Sequence, residues 1–457
     1  MHKIVISILG LSLGLSAFGQ QKTKLFDKIA CSKLIGNGTE LYNAGRTSDA
    51  LMTFKQAKVK DPNSWKAHLW LATSEFDINS YNAALEDANK AMELTKDKEN
   101  AELLLLLGRV NHKLGNIESA LANFKKAKEA MGEREAKEFD VPVYIAQCEF
   151  ALNQKKDGVK NIRKPLSNKL NTKFDEYGPI LVDGGKHLFF TARNSETTGN
   201  KMNPEDQRFF EDIYHAVWNP TEFEWDLNAE TLDGINTEGF DAINFMTRDG
   251  LYGLGTINTS ASKEKTTTSS DIFEMNTDIA GTWGNNDIIR NPSINSSYFE
   301  GAACITDTLF NEDESYMQTM YFVSDRNGDK SLTDIYVVEK KNNVWGIAKE
   351  LPKSINTNGR ETTPFITPDG KYLFFSSDAL PGMGGYDIYY VENQGNGKWS
   401  EPVNLGATFN TVDDDTHFQL YKELGKAVLA GIAESDGVYN YDMFQIDLKG
   451  LDFPFLK

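Results

Sequence analysis

Two unrelated patterns repeat along this 457-residue chain, and each dictates its own architecture. In the first, Ala50-Leu51-x-x-Phe54-x-x-Ala57, Ala84-Leu85-x-x-Ala88-x-x-Ala91 and Ala120-Leu121-x-x-Phe124-x-x-Ala127 start 34 and then 36 residues apart. Twelve positions upstream of each stands a small residue: Gly38, Ala72 or Gly108. Gly45 and Gly115 mark turns, and Asp61-Pro62 closes the first unit. In the second pattern an Asp-(Ile/Met)-aromatic triplet begins at Asp212, Asp271, Asp334, Asp387 and Asp442, spaced 59, 63, 53 and 55 residues apart.

The first pattern has helical spacing. A small residue lets two helices approach closely, and the recurring Ala and Phe fill the gap between them. One such hairpin cannot bury its apolar face alone, so the units must stack. Residues 31 to about 130 resemble the tetratricopeptide repeat on these motifs. A fourth, degenerate pair is expected over Val141 to about Lys156, with Val143, Ile145, Phe150 and Leu152 facing inward. Stacked hairpins leave a concave groove lined by the first helix of each unit. In register, its positions are Thr39 and Tyr42; Lys66, Leu69, Thr73 and Phe76; Leu105, Arg109, His112 and Lys113. Basic and aromatic groups mixed in this way suit an extended acidic or amphipathic peptide. The competing expectation is that the chain's own N-terminal helix or the neighbouring domain fills the groove.

The second pattern is a set of four short strands repeated five times. The fullest copy reads Ile355-Asn356-Thr357, Glu361, Phe365-Ile366-Thr367-Pro368-Asp369-Gly370, Leu373-Phe374-Phe375-Ser376, Asp387-Ile388-Tyr389 and Trp399. Matching triplets open other copies at Ile235-Asn236-Thr237 and Ile294-Asn295-Ser296, and Trp283 and Trp345 close two of them. Asp-Gly pairs make hairpin turns because Gly takes positive φ freely. Leu-Phe-Phe-Ser reads as a strand buried on both faces. Units of this length with four strands each describe a β-propeller. The motifs resemble the WD40-like propeller family with Pro-Asp-Gly repeats, shared with TolB. The fold class is therefore α+β and multidomain, an α-solenoid followed by an all-β propeller. Five blades are counted, or six if the long third copy hides one. The last copy lacks a fourth strand, and Asn161-Ile162-Arg163-Lys164-Pro165-Leu166 is expected to supply it, closing the ring and removing free edges. Asn194–Phe209 and Asn258–Ser269 interrupt the first two copies as polar loops.

The ends and the charge complete the domain plan. A basic start, an apolar run from Ile4 to Leu15 and Ala17-Phe18-Gly19 before Gln20 describe a secretory signal peptide cut after Gly19. The divisions are residues 1–19 as leader, 20–158 helical and 159–457 propeller. Residues 20–168 carry 24 Lys/Arg against 20 Asp/Glu, whereas 169–457 carry 23 against 46. An acidic half of that size argues against nucleic acid. No further stretch is apolar and long enough to span a membrane, and the three cysteines, Cys31, Cys148 and Cys304, read as buried hydrophobes.

Candidate chemistry is sparse. Outside the leader, where Gly10-Leu11-Ser12-Leu13-Gly14 falls in the apolar run, no Gly-x-Ser-x-Gly elbow occurs, and no His pair has metal-ligand spacing. Asp325-Arg326-Asn327-Gly328-Asp329 and Asp413-Asp414-Asp415 are acidic turns, with Asp325, Asn327, Asp329, Asp413 and Asp415 as candidate cation ligands. Neither turn fits the twelve-residue calcium loop. Solvated turns are the default there, with structural calcium the one metal reading; no other cofactor is implied. Fivefold repetition of the Asp in Asp-Ile-Tyr points to architecture, with that Asp accepting hydrogen bonds from a neighbouring turn.

A solenoid followed by a propeller resembles the front half of a Bacteroidota family of OmpA-type, outer-membrane-associated proteins, some of which serve type IX secretion and gliding. The resemblance implies a non-enzymatic periplasmic adaptor with protein partners, held at the inner face of the outer membrane within a secretion or envelope complex. The family's OmpA-like domain is missing here, so direct peptidoglycan anchoring is not expected. Two alternatives stand beside this reading: a glycan or muropeptide module using the propeller funnel, and a hydrolase.

Overall fold

The structure, a computed structural model, describes residues 24–156, 158–203, 208–227, 235–258, 269–276, 287–310, 315–328, 332–435 and 437–457. The expected leader, residues 1–19, lies outside these, as do Trp283 and Asp329.

Helices come first: α1 (Leu25–Asn43), α2 (Thr47–Lys60), α3 (Trp65–Asp77), α4 (Tyr81–Leu94), α5 (Ala101–Lys113), α6 (Ile117–Met131), α7 (Glu133–Glu138) and α8 (Val141–Lys156). The first six pack as three successive hairpins. All nine Ala and Phe positions of the repeat triplets are fully buried. The small residue upstream is a steric necessity: a Cβ on Gly38 would lie 2.4 Å from the Phe54 ring, and one on Gly108 2.5 Å from that of Phe124. Ser64 and Asn100 cap α3 and α5 by accepting from Ala67 N and Leu103 N.

The expected fourth pair is one long helix, α8, behind the short α7. Its inward side is Val141, Tyr144 and Cys148, with the expected Ile145 and Leu152 half-buried against the same core and Tyr144 stacked on Phe124 at 5.0 Å. Val143, expected inside, is 48% exposed. The buried positions fall at helical spacing from Val141, which turns Val143 away from α6.

The strands form five antiparallel sheets. The first holds β2 (Asp175–Val182), β3 (His187–Arg193), β4 (Asp212–Asn219) and β5 (Glu224–Leu227). The second holds β6 (Phe240–Met246), β7 (Tyr252–Asn258), β8 (Asp271–Asn276) and β9 (Asp287–Ile288). The third holds β10 (Glu300–Ile305), β11 (Leu309–Phe310), β12 (Tyr316–Ser324), β13 (Asp334–Lys341), β14 (Val344–Trp345) and β15 (Lys349–Glu350). The fourth holds β16 (Glu361–Ile366), β17 (Tyr372–Ser377), β18 (Asp387–Gly395), β19 (Lys398–Trp399) and β20 (Val403–Asn404). The fifth holds β21 (Asp415–Tyr421), β22 (Lys426–Ser435) and β23 (Val438–Asp447), and β1 (Lys164–Pro165) pairs with β23. The extra strands of the third copy, β11 and β15, pair with β12 and β13 inside that sheet, so the blades number five.

The first strands of the sheets, β2, β6, β10, β16 and β21, touch in turn, and β21 returns to β2. All six residues of β17 are buried, as expected of Leu-Phe-Phe-Ser. Gly250 and Gly370 take φ of +71° and +70° in their Asp-Gly turns. Every first strand carries a register shift, at 177/180, 243/245, 301/304, 362/365 and 416/419. Such bulges bend the strand and turn side chains at the ring's centre.

Candidate functional site

The ten groove positions separate into two groups. Tyr42, Phe76 and Arg109 form one group, with Phe76 buried and Tyr42 and Arg109 half-buried. Tyr42 Oη donates to Asp77, and the Arg109 guanidinium sits 4.4 Å over the Phe76 ring. Burial and the Asp77 carboxylate both push the Tyr42 phenol well above its ordinary range. Lys66 is exposed, Thr73 and Leu105 are half-buried, and Leu69 is buried. Thr39 and Thr73 donate back to the carbonyls of Ile35 and Leu69 on their own helices.

His112 and Lys113, in contrast, are turned to the propeller. His112 is buried with Nε2 2.9 Å from Met383 O, and burial pushes its imidazole down to about 4. Lys113 Nζ lies 2.9 Å from Asp413 Oδ1. Burial alone would lower that ammonium, but Asp413 and Asp414 hold it above its ordinary value. Three further contacts extend the seam. Asn79 exchanges hydrogen bonds with the backbone of Tyr439, Gln147 donates to Gly384 O, and Gln154 accepts from Ala407 N. Tyr81 and Tyr439 rings meet at 4.7 Å. The neighbouring domain therefore covers one end of the groove.

On the ring, the repeated Ile-Asn-Thr triplet supplies the architecture. In all five copies the Asn side chain both donates to and accepts from one backbone residue on the third strand of the preceding blade. The pairs are Asn171 with Met443, Asn236 with Ile213, Asn295 with Ile272, Asn356 with Ile335 and Asn410 with Ile388. The next residue, Thr or Ser, donates its N–H and hydroxyl to a carboxylate four positions on: Glu176, Asp241, Glu300, Glu361 or Asp415. Each of these acids is at most 1% exposed. Burial pushes Glu176 up to about 8, Asp241 to about 7 and Asp415 to about 6. Asp415 is steadied by Arg163 Nη1 at 2.6 Å, and Glu300 by Arg326 Nη2 at 3.0 Å.

The Asp of Asp-Ile-Tyr behaves as expected in three blades. Asp212 accepts from the N–H and hydroxyl of Thr198, Asp387 from Met383 N and Gly384 N, and Asp334 from Asn327. The Asn bracket went unrecognised in the sequence, although its fivefold spacing is visible there.

The candidate cation ligands among the described residues have protein partners. Asp325 accepts from Phe299 N, Asn327 bonds Asp334 and Tyr336, Asp413 pairs with Lys113 and Asp415 with Arg163. Asp414 accepts from Tyr386 N and Tyr441 Oη. Among the described residues, no three His, Cys, Asp or Glu side chains come together as a metal site requires.

Near the axis, His417 sits in a bulge at φ +53°, its ring 5.3 Å from that of Tyr177 and its Nδ1 bonded to Thr416. Burial pushes it down to about 4. A Cβ on Gly178 would lie 3.5 Å from both His417 Cδ2 and Ile243 O, so three blades meet closely there. His187 bonds His215, Nδ1 to Nε2, at 2.9 Å. The described part of the Asn194–Phe209 excursion is tied down, by Arg193 to Phe209 O and by Arg208 to Asp175. A cleft of about 540 Å³ opens between the first and fifth blades, lined by Trp218, Phe223, Trp225, Leu424, Lys426 and Gln445 among others.

No protein-family model and no curated relative matches the sequence. Solved structures do resemble part of the chain. The Arabidopsis OM64 TPR domain shares 18% identity over 27% of this chain and 96% of its own, with a TM-score of 0.25. The first TPR of Spaghetti (RPAP3), bound to an HSP90 peptide, shares 17% over 28% and 95%, at 0.25. The Yersinia enterocolitica type III secretion chaperone SycD, in complex with a peptide of the translocator YopD, shares 17% over 26% and 91%, at 0.24. At these scores the likeness carries no inference about function. Among the described residues no helix is long and apolar enough to cross a membrane.

Proposed function

We propose that this chain is an exported, non-enzymatic adaptor that joins protein partners in a secretion or envelope complex. The solenoid and the ring are two docking modules in series. One observation supports this most: the repeated acids are spent on blade brackets and His112, Lys113 and Asp413 on the seam, while Tyr42 and Arg109 of the groove stay partly exposed. Residues 1–19 act as the export leader, and the mature chain works in the periplasm at the inner face of the outer membrane. The likeness to Bacteroidota OmpA-type and type IX secretion proteins, with their Pro-Asp-Gly propellers, supports that placement. Residues 20–158 and 159–457 are its two domains.

Affinity capture with the mature chain from a periplasmic and outer-membrane fraction tests the reading. It predicts a stoichiometric protein partner, weakened by Arg109→Ala or Tyr42→Ala. Substrate turnover by the purified chain, lost on changing one ring residue, would overturn it.

A second reading has one observation in its favour. Trp218, Phe223 and Trp225 give the cleft between the first and fifth blades the aromatic lining of a small-ligand site. Glycan or muropeptide recognition would use that cleft, away from the narrow axis at His417. Retention on a glycan column that Phe223→Ala abolishes would favour it.

A further inference from the structure

The blade-four loop Leu380–Gly385 reaches the solenoid with an unusual set of groups. Its Met383 carbonyl faces His112 Nε2 at 2.9 Å, and its Gly384 carbonyl accepts from Gln147 Nε2 at 2.5 Å. The Met383 side chain is 3% exposed. Beside the loop, Asp413 gives Lys113 its carboxylate partner. Two successive carbonyls, one buried apolar side chain and a carboxylate are what a bound peptide would offer a groove.

The loop is built to hold this shape. Asp387 accepts from both Met383 N and Gly384 N. A Cβ on Gly382 would lie 2.1 Å from Asp387, one on Gly384 2.2 Å from the Val412 backbone, and one on Gly385 1.8 Å from Asp414. Only glycines let the segment lie flat between the ring and the helices. The contact also has charge in its favour, since the helical half is net basic and the ring strongly acidic. Contacts between domains of one chain leave relative motion as the default unless the interface is large and apolar, and this seam is largely polar apart from Met383, Val412 and the Tyr81–Tyr439 pair.

We infer that loop Leu380–Gly385, with Asp413, is an internal ligand of the solenoid: a partner's extended apolar segment bearing a carboxylate competes with it for His112, Lys113 and Gln147. Partner binding at that end and docking of the ring then exclude one another. This rests on the adaptor reading and adds its regulation and the chemistry of its partner.

The test uses the mature full chain and a fluorescein-labelled peptide with the sequence of residues 379–386 and a free carboxyl terminus. Asp413→Lys leaves the solenoid intact and sets two cations against each other. It is expected to raise the radius of gyration in small-angle scattering and to tighten peptide binding, by anisotropy, about fivefold or more. Combining it with Lys113→Asp restores the pair and should return both readings toward wild type. His112→Ala or Gln147→Ala in the Asp413→Lys background should abolish the gain. Equal peptide binding by wild type and Asp413→Lys overturns the inference, as does a gain that survives both alanine changes. Should Asp413→Lys fail to fold, Gln147→Ala alone must raise amide hydrogen exchange in 380–386; unchanged exchange overturns it equally. A partner captured equally well by wild type and Asp413→Lys sinks this inference alone. A peptide gain in a chain that captures no protein sinks the adaptor reading instead.

Discussion

Asn410 donates to the Ile388 carbonyl at 3.1 Å and accepts from its N–H at 2.9 Å, and it is 1% exposed. Removing that side chain strands two buried backbone groups, each costing about 1–3 kcal/mol. Asn410→Ala is therefore expected to destabilise the ring by about 2–4 kcal/mol, read as a lower urea midpoint. An unchanged midpoint would show the bracket to be idle. The Ile-Asn-Thr triplet could be read from the sequence, but its partner could not. The partner lies on the preceding blade, and spacing along a chain does not say which strand stands beside which. The Asp of Asp-Ile-Tyr was readable because its donors sit in local loops, as Thr198 does for Asp212.

Among the elements, the helical repeats were the most legible, because each small residue faces its own hairpin partner a fixed distance on. Gly108 tests this. Alanine ordinarily favours a helix over glycine by about 1 kcal/mol. Here its Cβ would collide with the fully buried Phe124, and overpacking of that kind costs about 1–3 kcal/mol. Gly108→Ala should lower the thermal midpoint of the helical transition, and Phe124→Leu added to it should recover part of the loss. A rise in the midpoint would mean the hairpin has slack. At α8 the expectation held for Ile145 and Leu152, which pack on the α6 core, and failed at Val143; the phase is set by Val141 and Tyr144 against α6.

For the whole molecule, buried titratable groups set a pH optimum. Glu176 near 8 and Asp241 and Asp387 near 7 hold protons in the folded state that the unfolded chain releases at about 4. Stability from these groups is complete at low pH and is lost as pH rises through 7 to 8. His112, His215 and His417, each near 4, act in the other direction: the unfolded chain protonates them below about 6.5 and the folded one does not. The urea midpoint should climb as pH falls from 9 to 7, and more gradually below about 6.5, where the histidines oppose the carboxyls. Glu176→Gln should flatten the upper limb, and equal midpoints at pH 7 and 9 would contradict the assignment. At this scale the groove was the least legible feature. Tyr42, Phe76 and Arg109 are set by neighbouring helices of the solenoid, whereas the surroundings of His112 and Lys113 depend on a loop some 270 residues further on.

The pairing of β1 with β23 carries a consequence for biogenesis. Gln445 and Pro165 meet from 280 positions apart, so the strand of the ring made first must wait for nearly the last. Ladders this distant form slowly, and until then an unpaired edge is open to the wrong neighbour. Synthesis halted before residue 438 would yield folded helices trailing an unsealed set of blades, dependent on chaperones until the final strand emerges.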